Sequence, residues 1–126
     1  MFNYREFDAG PDPFGRKVHV LFKYTQNGIS IRHADTVDNK FLLDVEGGER
    51  AEKVIALQHA DLVRLAHETG RPLDDPWCCR LAAKHLVYLI ETGEDIEKSL
   101  VTVPYPDLQR YAAELASTEK SESAAR

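Results

Sequence analysis

The chain has 126 residues, of which 43% are hydrophobic and 29% are charged, and its formal net charge is −5. This length supports one domain with a hydrophobic core and is too short for two ordinary domains. Acidic residues outnumber basic residues by 21 to 16, and no basic cluster stands out. The composition therefore argues against a nucleic-acid partner and against binding to an anionic membrane surface.

Two features of the sequence predict a cytoplasmic protein. The first ten residues contain Glu6 and Asp8 and no apolar run, so we expect no export signal. The only cysteines, Cys78 and Cys79, are adjacent, and adjacent cysteines rarely form a disulfide with each other because the geometry is strained. The longest apolar run, residues 86–90, is far shorter than a membrane span, so we expect no membrane insertion.

The first half of the chain reads as extended structure. Turn residues at 10–15 predict an extended lead-in over residues 1–16. Two β-rich runs then flank Asn27 and Gly28, a dipeptide typical of a two-residue hairpin turn. Turn residues at 38–39 and 46–49 bound two further runs. The sequence therefore predicts four strands, at about residues 17–25, 29–37, 40–45 and 51–57.

The second half has the helical period and predicts three to four helices. Gly70 and Gly93 fit helix ends, and Asp75 followed by Pro76 fits a helix start. The predicted fold is α+β, a four-stranded antiparallel meander over about residues 17–57 with the helices packed on one sheet face. Residues 17–116 form the domain, and residues 117–126 are expected to be disordered because they carry no hydrophobic pattern. The helices are expected at about residues 58–69, 75–92, 95–101 and 106–116.

A turn at Asn27 and Gly28 would place Phe22 opposite His33, and one face of the hairpin would then end in His33 and Asp35. Two titratable side chains on an otherwise apolar face form a local conflict of the kind that marks functional sites. An imidazole near a carboxylate suits acid–base chemistry or metal binding. The alternative is that a bulge, or an early end to the strand, turns both side chains into water.

The second face of the predicted hairpin is mixed in character and suggests a binding surface. We expect a protein partner or a second copy of the chain to bind there, with the acidic helical half of a second copy as one candidate. The predicted binding residues are Lys17, His19, Leu21, Lys23 and Arg32.

Two residues of the second helix are further candidates for chemistry. Cys78 falls in the first turn, where the helix dipole lowers a thiol pKa, but cysteine is also a common buried residue. His85 lies beside the apolar side of the same helix, where it would be a hydrogen-bonded, partly buried histidine or would reach into a pocket. The spacing of cysteines and histidines does not match a zinc site, and no nucleotide-binding or hydrolase motif occurs, so we predict no metal and no cofactor.

These observations favour a small cytoplasmic interaction domain that binds a protein partner or itself through its sheet. The alternative is a small enzyme or ligand-binding domain with a pocket between sheet and helices. In that alternative His33 and Asp35 act in the pocket, and Cys78 or His85 reaches in from the second helix. A third interpretation is a structural or regulatory subunit without a pocket, which captures its partner through residues 117–126.

Overall fold

A five-stranded sheet and three helices make up the part of the chain that the computed structural model describes, residues 3–29, 35–48, 50–95 and 97–124. The α+β class predicted from the sequence is confirmed. None of the described helices is both long and apolar enough to cross a membrane. The elements in chain order are β1 (Glu6–Ala9), β2 (Val18–Ile29), β3 (Asp35–Val45), β4 (Arg50–Gln58), α1 (His59–Thr69), α2 (Asp75–Thr92), β5 (Leu100–Thr102) and α3 (Tyr105–Ala124).

The strand order in the sheet is β1-β2-β3-β4-β5. The first four strands are antiparallel neighbours, as expected of a meander, and β1 adds an edge strand within the predicted lead-in. The last strand, β5, runs parallel to β4, with Leu100 opposite Val54. A short helix was expected at residues 95–101, and the structure corrects this, because Val101 instead enters the sheet and buries its side chain.

The predicted hairpin turn at Asn27 and Gly28 is wrong. Both residues belong to β2, where they pair with Val37 and Thr36 of β3. Strands β2 and β3 are long enough that the connection between them falls within residues 30–34, which lie outside the described residues. The two strands predicted at 29–37 and 40–45 are replaced by a single strand, β3, and the turn expected at 38–39 lies in its middle.

A bulge in β2 explains why the sequence pattern predicts the wrong pairing register. Phe22 pairs with Phe41 and not with His33, whereas Tyr24 pairs with Lys40, so Lys23 is the extra residue. The bulge shifts the alternation by one position. Tyr24 therefore lies on the opposite sheet face from Phe22, although an uninterrupted strand would place both on the same face.

Asn39 is a fully buried polar residue on the core face of β3. The Thr25 hydroxyl donates to its Oδ1 at 2.9 Å, and its Nδ2 donates to the carbonyls of Val37 and Ile55, both at 3.4 Å. These partners satisfy the amide inside the core, and an unsatisfied amide there would be costly. A residue that looks like a turn former is therefore part of the sheet interior.

Helices α1 and α2 pack on one face of the sheet, and α3 packs against both of them. Helix α2 contacts β1, β2, β3 and β4 as well as α3, and α1 packs on β3 and β4. Asp74 caps α2 by accepting from the Trp77 N–H at 2.9 Å, one residue before the predicted cap at Asp75. The largest side chains of the shared core are those of Trp77, Phe41, Ile55, Leu57, Leu62, Leu65, Leu81, Leu86 and Leu108.

Helix α3 extends further than the predicted 106–116. It begins at Tyr105 and continues to Ala124, so helical backbone occupies most of the segment for which the sequence pattern predicted disorder. That segment carries no apolar stripe, but it includes good helix formers such as Glu119, Lys120 and Ala124. Intrinsic helix propensity accounts for the extension without any burial pattern.

Candidate interaction surface

The face of the sheet opposite the helices has no other described element over it, and we call it the open face. Paired residues of neighbouring strands point to the same side, so the strand pairings define which side chains lie there. The open-face residues are Glu6, Asp8, His19, Leu21, Tyr24, Gln26, Thr36, Asp38, Lys40, Leu42, Asp44, Arg50, Glu52, Val54, Ala56, Gln58, Leu100 and Thr102.

Five apolar side chains lie in two adjacent rows of the open face. Leu21 pairs with Leu42, and in the next row Tyr24 and Val54 flank Lys40, with Leu100 beyond Val54. Leu100, Tyr24 and Leu21 are among the exposed large hydrophobic side chains of the described residues. We call these five residues the apolar centre.

Charged side chains lie within and around the apolar centre and pair with one another. The Lys40 ammonium lies 2.7 Å from a carboxylate oxygen of Glu52 and 5.6 Å from the centre of the Tyr24 ring. The hydrogen bond to Glu52 raises the pKa of Lys40. Arg50 and Asp44 approach to 3.9 Å at the next row. Such exposed ion pairs fix local geometry but contribute little stability.

One corner of the open face places His19 among carboxylates. Its Nδ1 lies 2.7 Å from Oδ1 of Asp8, and its Nε2 lies 4.0 Å from Oε1 of Glu6. The hydrogen bond to Asp8 raises the pKa of His19, and the charges of Glu6 and Asp44 act in the same direction. Among the described residues no group of three or more such side chains has the geometry to hold a metal ion.

The residues predicted to form a binding surface are only partly brought together. His19 and Leu21 lie on the open face. Lys17 precedes β2, where its backbone N–H donates to a Glu46 carboxylate oxygen at 3.3 Å. Lys23 occupies the bulge, and Arg32 falls outside the described residues.

Sequence reasoning missed four of the five residues of the apolar centre. Tyr24 was assigned to the core face because the bulge leaves no clear signal in the sequence. Leu42 and Val54 lie in predicted strands, but the sequence does not fix the pairing register of those strands. Leu100 falls in a predicted helix. Only Leu21 was recognised as an exposed apolar residue. The alternation within residues 40–45 and 51–57 could have found Leu42 and Val54.

The alternative site built on His33 and Asp35 gains no support from the described residues. Asp35 is exposed at the first position of β3, where its backbone pairs with Ile29. His33 lies outside the described residues. By alternation along β3, Asp35 lies on the same side as Phe41, the partner of Phe22, but it is exposed because it stands at the start of the strand.

His85 is buried beneath a groove of about 730 Å³ that lies over α2, between β1 and α3. A hydrogen bond of 2.8 Å joins His85 Nδ1 to the hydroxyl of Tyr111, and Arg110 donates to the same hydroxyl at 3.3 Å. Burial lowers the pKa of His85 and raises that of Tyr111, so both are neutral near pH 7. Tyr111 lines the groove, while His85 supports it from below.

The two cysteine thiols are buried and poorly suited to nucleophilic chemistry. Burial raises the pKa of Cys78 to about 12 and that of Cys79 to about 11. The lowering expected from the helix N-terminus is therefore outweighed by desolvation. Cys78 is a core residue of α2, in agreement with the second of the two roles considered for it.

Lys53 is a buried cation that the sequence pattern did not single out. It lies on the core side of β4, where its ammonium donates to the backbone carbonyl of Asp95 at 2.7 Å. Burial lowers its pKa. Its side chain also lines an apolar cavity of about 130 Å³ between the sheet and α2. The contact ties the segment after α2 to the sheet.

No known family model matches the chain, and no curated protein or solved structure is significantly similar to it.

Proposed function

We propose that this protein is an interaction domain that binds a protein partner through the open face. The observation that carries the proposal is the apolar centre, five apolar side chains in two adjacent rows on the sheet face opposite the helices. Exposed apolar patches rimmed by polar residues are typical of protein-interaction sites. The ion pair of Lys40 with Glu52 lies among the apolar side chains, and Arg50 with Asp44 supplies part of the polar rim in the next row.

Site-specific photo-crosslinking inside cells tests the proposal. A photoreactive phenylalanine analogue replaces Leu100 on the open face or, as a matched control, Val63 on α1. These side chains are 55% and 48% exposed, so both positions are equally open to chance encounters. We expect a defined protein adduct from position 100 and none from position 63.

Mass spectrometry of the adduct identifies what lies on the open face. Equal labelling from the two positions, or labelling from position 63 alone, would contradict the proposal. A Leu21→Ser substitution in the protein carrying the analogue at position 100 is expected to reduce the adduct, because it removes a neighbouring part of the apolar centre. Retention of the full adduct in that variant also speaks against the open face.

A second candidate function is binding of a small ligand in the groove over α2. Its volume of about 730 Å³ lies within the range of ligand sites, and Tyr88 and Arg110 line it beside Tyr111. This candidate differs from the sequence-based alternative, since Asp35 does not line the groove. Ligand-observed NMR with a fragment library tests it. Hits should be lost in Tyr88→Ala and retained in Tyr24→Ala, and equal loss in both variants would exclude the groove.

A further inference from the structure

We infer that the partner of the open face presents a basic surface around an apolar centre, and that it is not a second copy of this chain. The inference rests on the proposed function and specifies the chemistry of what binds. The inference follows from the charge of the open face. The net charge of the whole chain does not reveal this charge, because it does not say on which face the charged residues lie.

Carboxylates predominate on the open face. Five of its residues are acidic, and two, Lys40 and Arg50, are basic, so the formal charge is 2 − 5 = −3 with His19 neutral and −2 with it protonated. The acidic residues are Glu6, Asp8, Asp38, Asp44 and Glu52.

The end of the sheet does not reverse this balance. Lys17 and Glu46 lie beside each other there, joined through their backbones, and their formal charges add to zero. Counting Lys23 in the bulge leaves a formal charge of −2 with His19 neutral and −1 with His19 protonated.

The two cations of the face are already engaged by carboxylates of the same face. Lys40 lies against Glu52 at 2.7 Å, and Arg50 lies near Asp44 at 3.9 Å. The surplus negative charge therefore comes from the β1 edge of the face and from Asp38. These two cations are therefore poor attachment points for an acidic partner. An acidic partner would have to break ion pairs that already exist in the free protein.

A second copy would bring two acidic faces together. Side chains of the two faces would meet between the stacked sheets, and charges partly buried in such an interface are screened much less by salt than exposed ones, so they would repel each other. A face with lysine or arginine around apolar side chains instead gains attraction at the rim and burial at the centre. Charge complementarity of this kind selects the partner and speeds its association.

Designed peptides test the inference without knowledge of the natural partner. The probes are an amphipathic helical peptide of leucine and lysine and its leucine–glutamate counterpart, each bound to the full chain and followed by fluorescence anisotropy. We expect binding of the lysine peptide only, weakening as salt rises from about 50 mM to about 300 mM. Sedimentation of the chain alone should show a monomer throughout the same concentration range.

Matched charge variants locate the binding. The double variant Glu6→Gln, Glu52→Gln removes two charges from the open face, and Glu91→Gln, Glu114→Gln removes two from the helical side. Each pair includes one carboxylate that contacts a lysine, Glu52 with Lys40 and Glu114 with Lys84. We expect about tenfold weaker peptide binding in the first variant and less than about twofold in the second.

The outcomes separate this inference from the proposed function. Equal weakening in the two variants would mean that net charge alone attracts the peptide, and it would overturn the inference. Self-association of the chain, or preference for the glutamate peptide, would overturn it as well, while leaving the open face as a binding site. Failure of the crosslink at position 100 would instead remove the proposed function itself.

Discussion

Removal of the Tyr111 hydroxyl tests whether the buried contact between α2 and α3 stabilises the fold. Tyr111 is 3% exposed, and its hydroxyl lies 2.8 Å from Nδ1 of the equally buried His85. Arg110 donates to the same hydroxyl at 3.3 Å. Tyr111→Phe leaves the Nδ1 of His85 without this hydrogen-bond partner in the protein interior.

The expected loss follows from burial. A hydrogen bond is worth about 1 kcal/mol net, and a buried donor or acceptor left without a partner costs about 1–3 kcal/mol. The Arg110 side chain is half-exposed, so water replaces the acceptor that it loses and adds little to the cost. We expect the free energy of unfolding of Tyr111→Phe to fall by about 1–3 kcal/mol.

Urea unfolding followed by circular dichroism measures this loss, and Tyr105→Phe is its control. Tyr105 is on the same helix and donates to Glu68 over the same 2.8 Å, but that bond is exposed to water. We expect the control to lose less than about 1 kcal/mol. Equal losses in the two variants, or a loss of under about 0.5 kcal/mol in Tyr111→Phe, would refute the argument that burial makes the bond important.

Three further predictions concern titration, thiol reactivity and a helix end. Burial lowers the pKa of His85 in the folded state, so the unfolded state binds the extra proton first, and the free energy of unfolding should fall as pH drops below about 6.5. His85→Gln should flatten this slope in urea titrations. With pKa values of about 12 and 11, Cys78 and Cys79 should resist a thiol reagent at about pH 8 until urea unfolds the protein, and rapid labelling of the native state would contradict their burial. Gly93→Ala should lower the melting temperature more than Gly70→Ala. Both glycines have φ near +70°, but a Cβ at Gly93 would lie 2.8 Å from a proline ring carbon, and one at Gly70 would meet open space.

The elements that the sequence predicted well carry local signals. Gly70 and Gly93 end α1 and α2 in the left-handed conformation, and the cap at Asp74 lies one residue from its predicted position. The turn before β4 was also recognised from Gly47 and Gly48, and Gly47 has a positive φ. In each case a few neighbouring residues decide the backbone conformation, so no knowledge of distant contacts is needed.

The elements that the sequence predicted wrongly depend on distant partners. Asn27 and Gly28 favour a tight turn in isolation, but pairing along the whole length of β2 and β3 keeps them in a strand. The bulge at Lys23 changes which residues of β2 face the core, and no residue type in the sequence marks it. The sequence therefore does not predict that Tyr24 is exposed. Strand β5 has three residues and exists only because β4 offers its edge. The predicted binding surface and the open face therefore share a sheet and the residues His19 and Leu21, but differ in their other residues.

The parallel pairing of β4 with β5 has a consequence for the order in which the protein folds. Val54 and Leu100 are 100 − 54 = 46 positions apart along the chain, with both α1 and α2 between them, whereas β1 to β4 pair with their sequence neighbours. Loop closure over that distance costs entropy before any contact offsets it, so β5 is expected to dock late. The apolar centre thus gains its last member, Leu100, only when the helices are in place, so the proposed partner recognition would be restricted to molecules that have completed their fold.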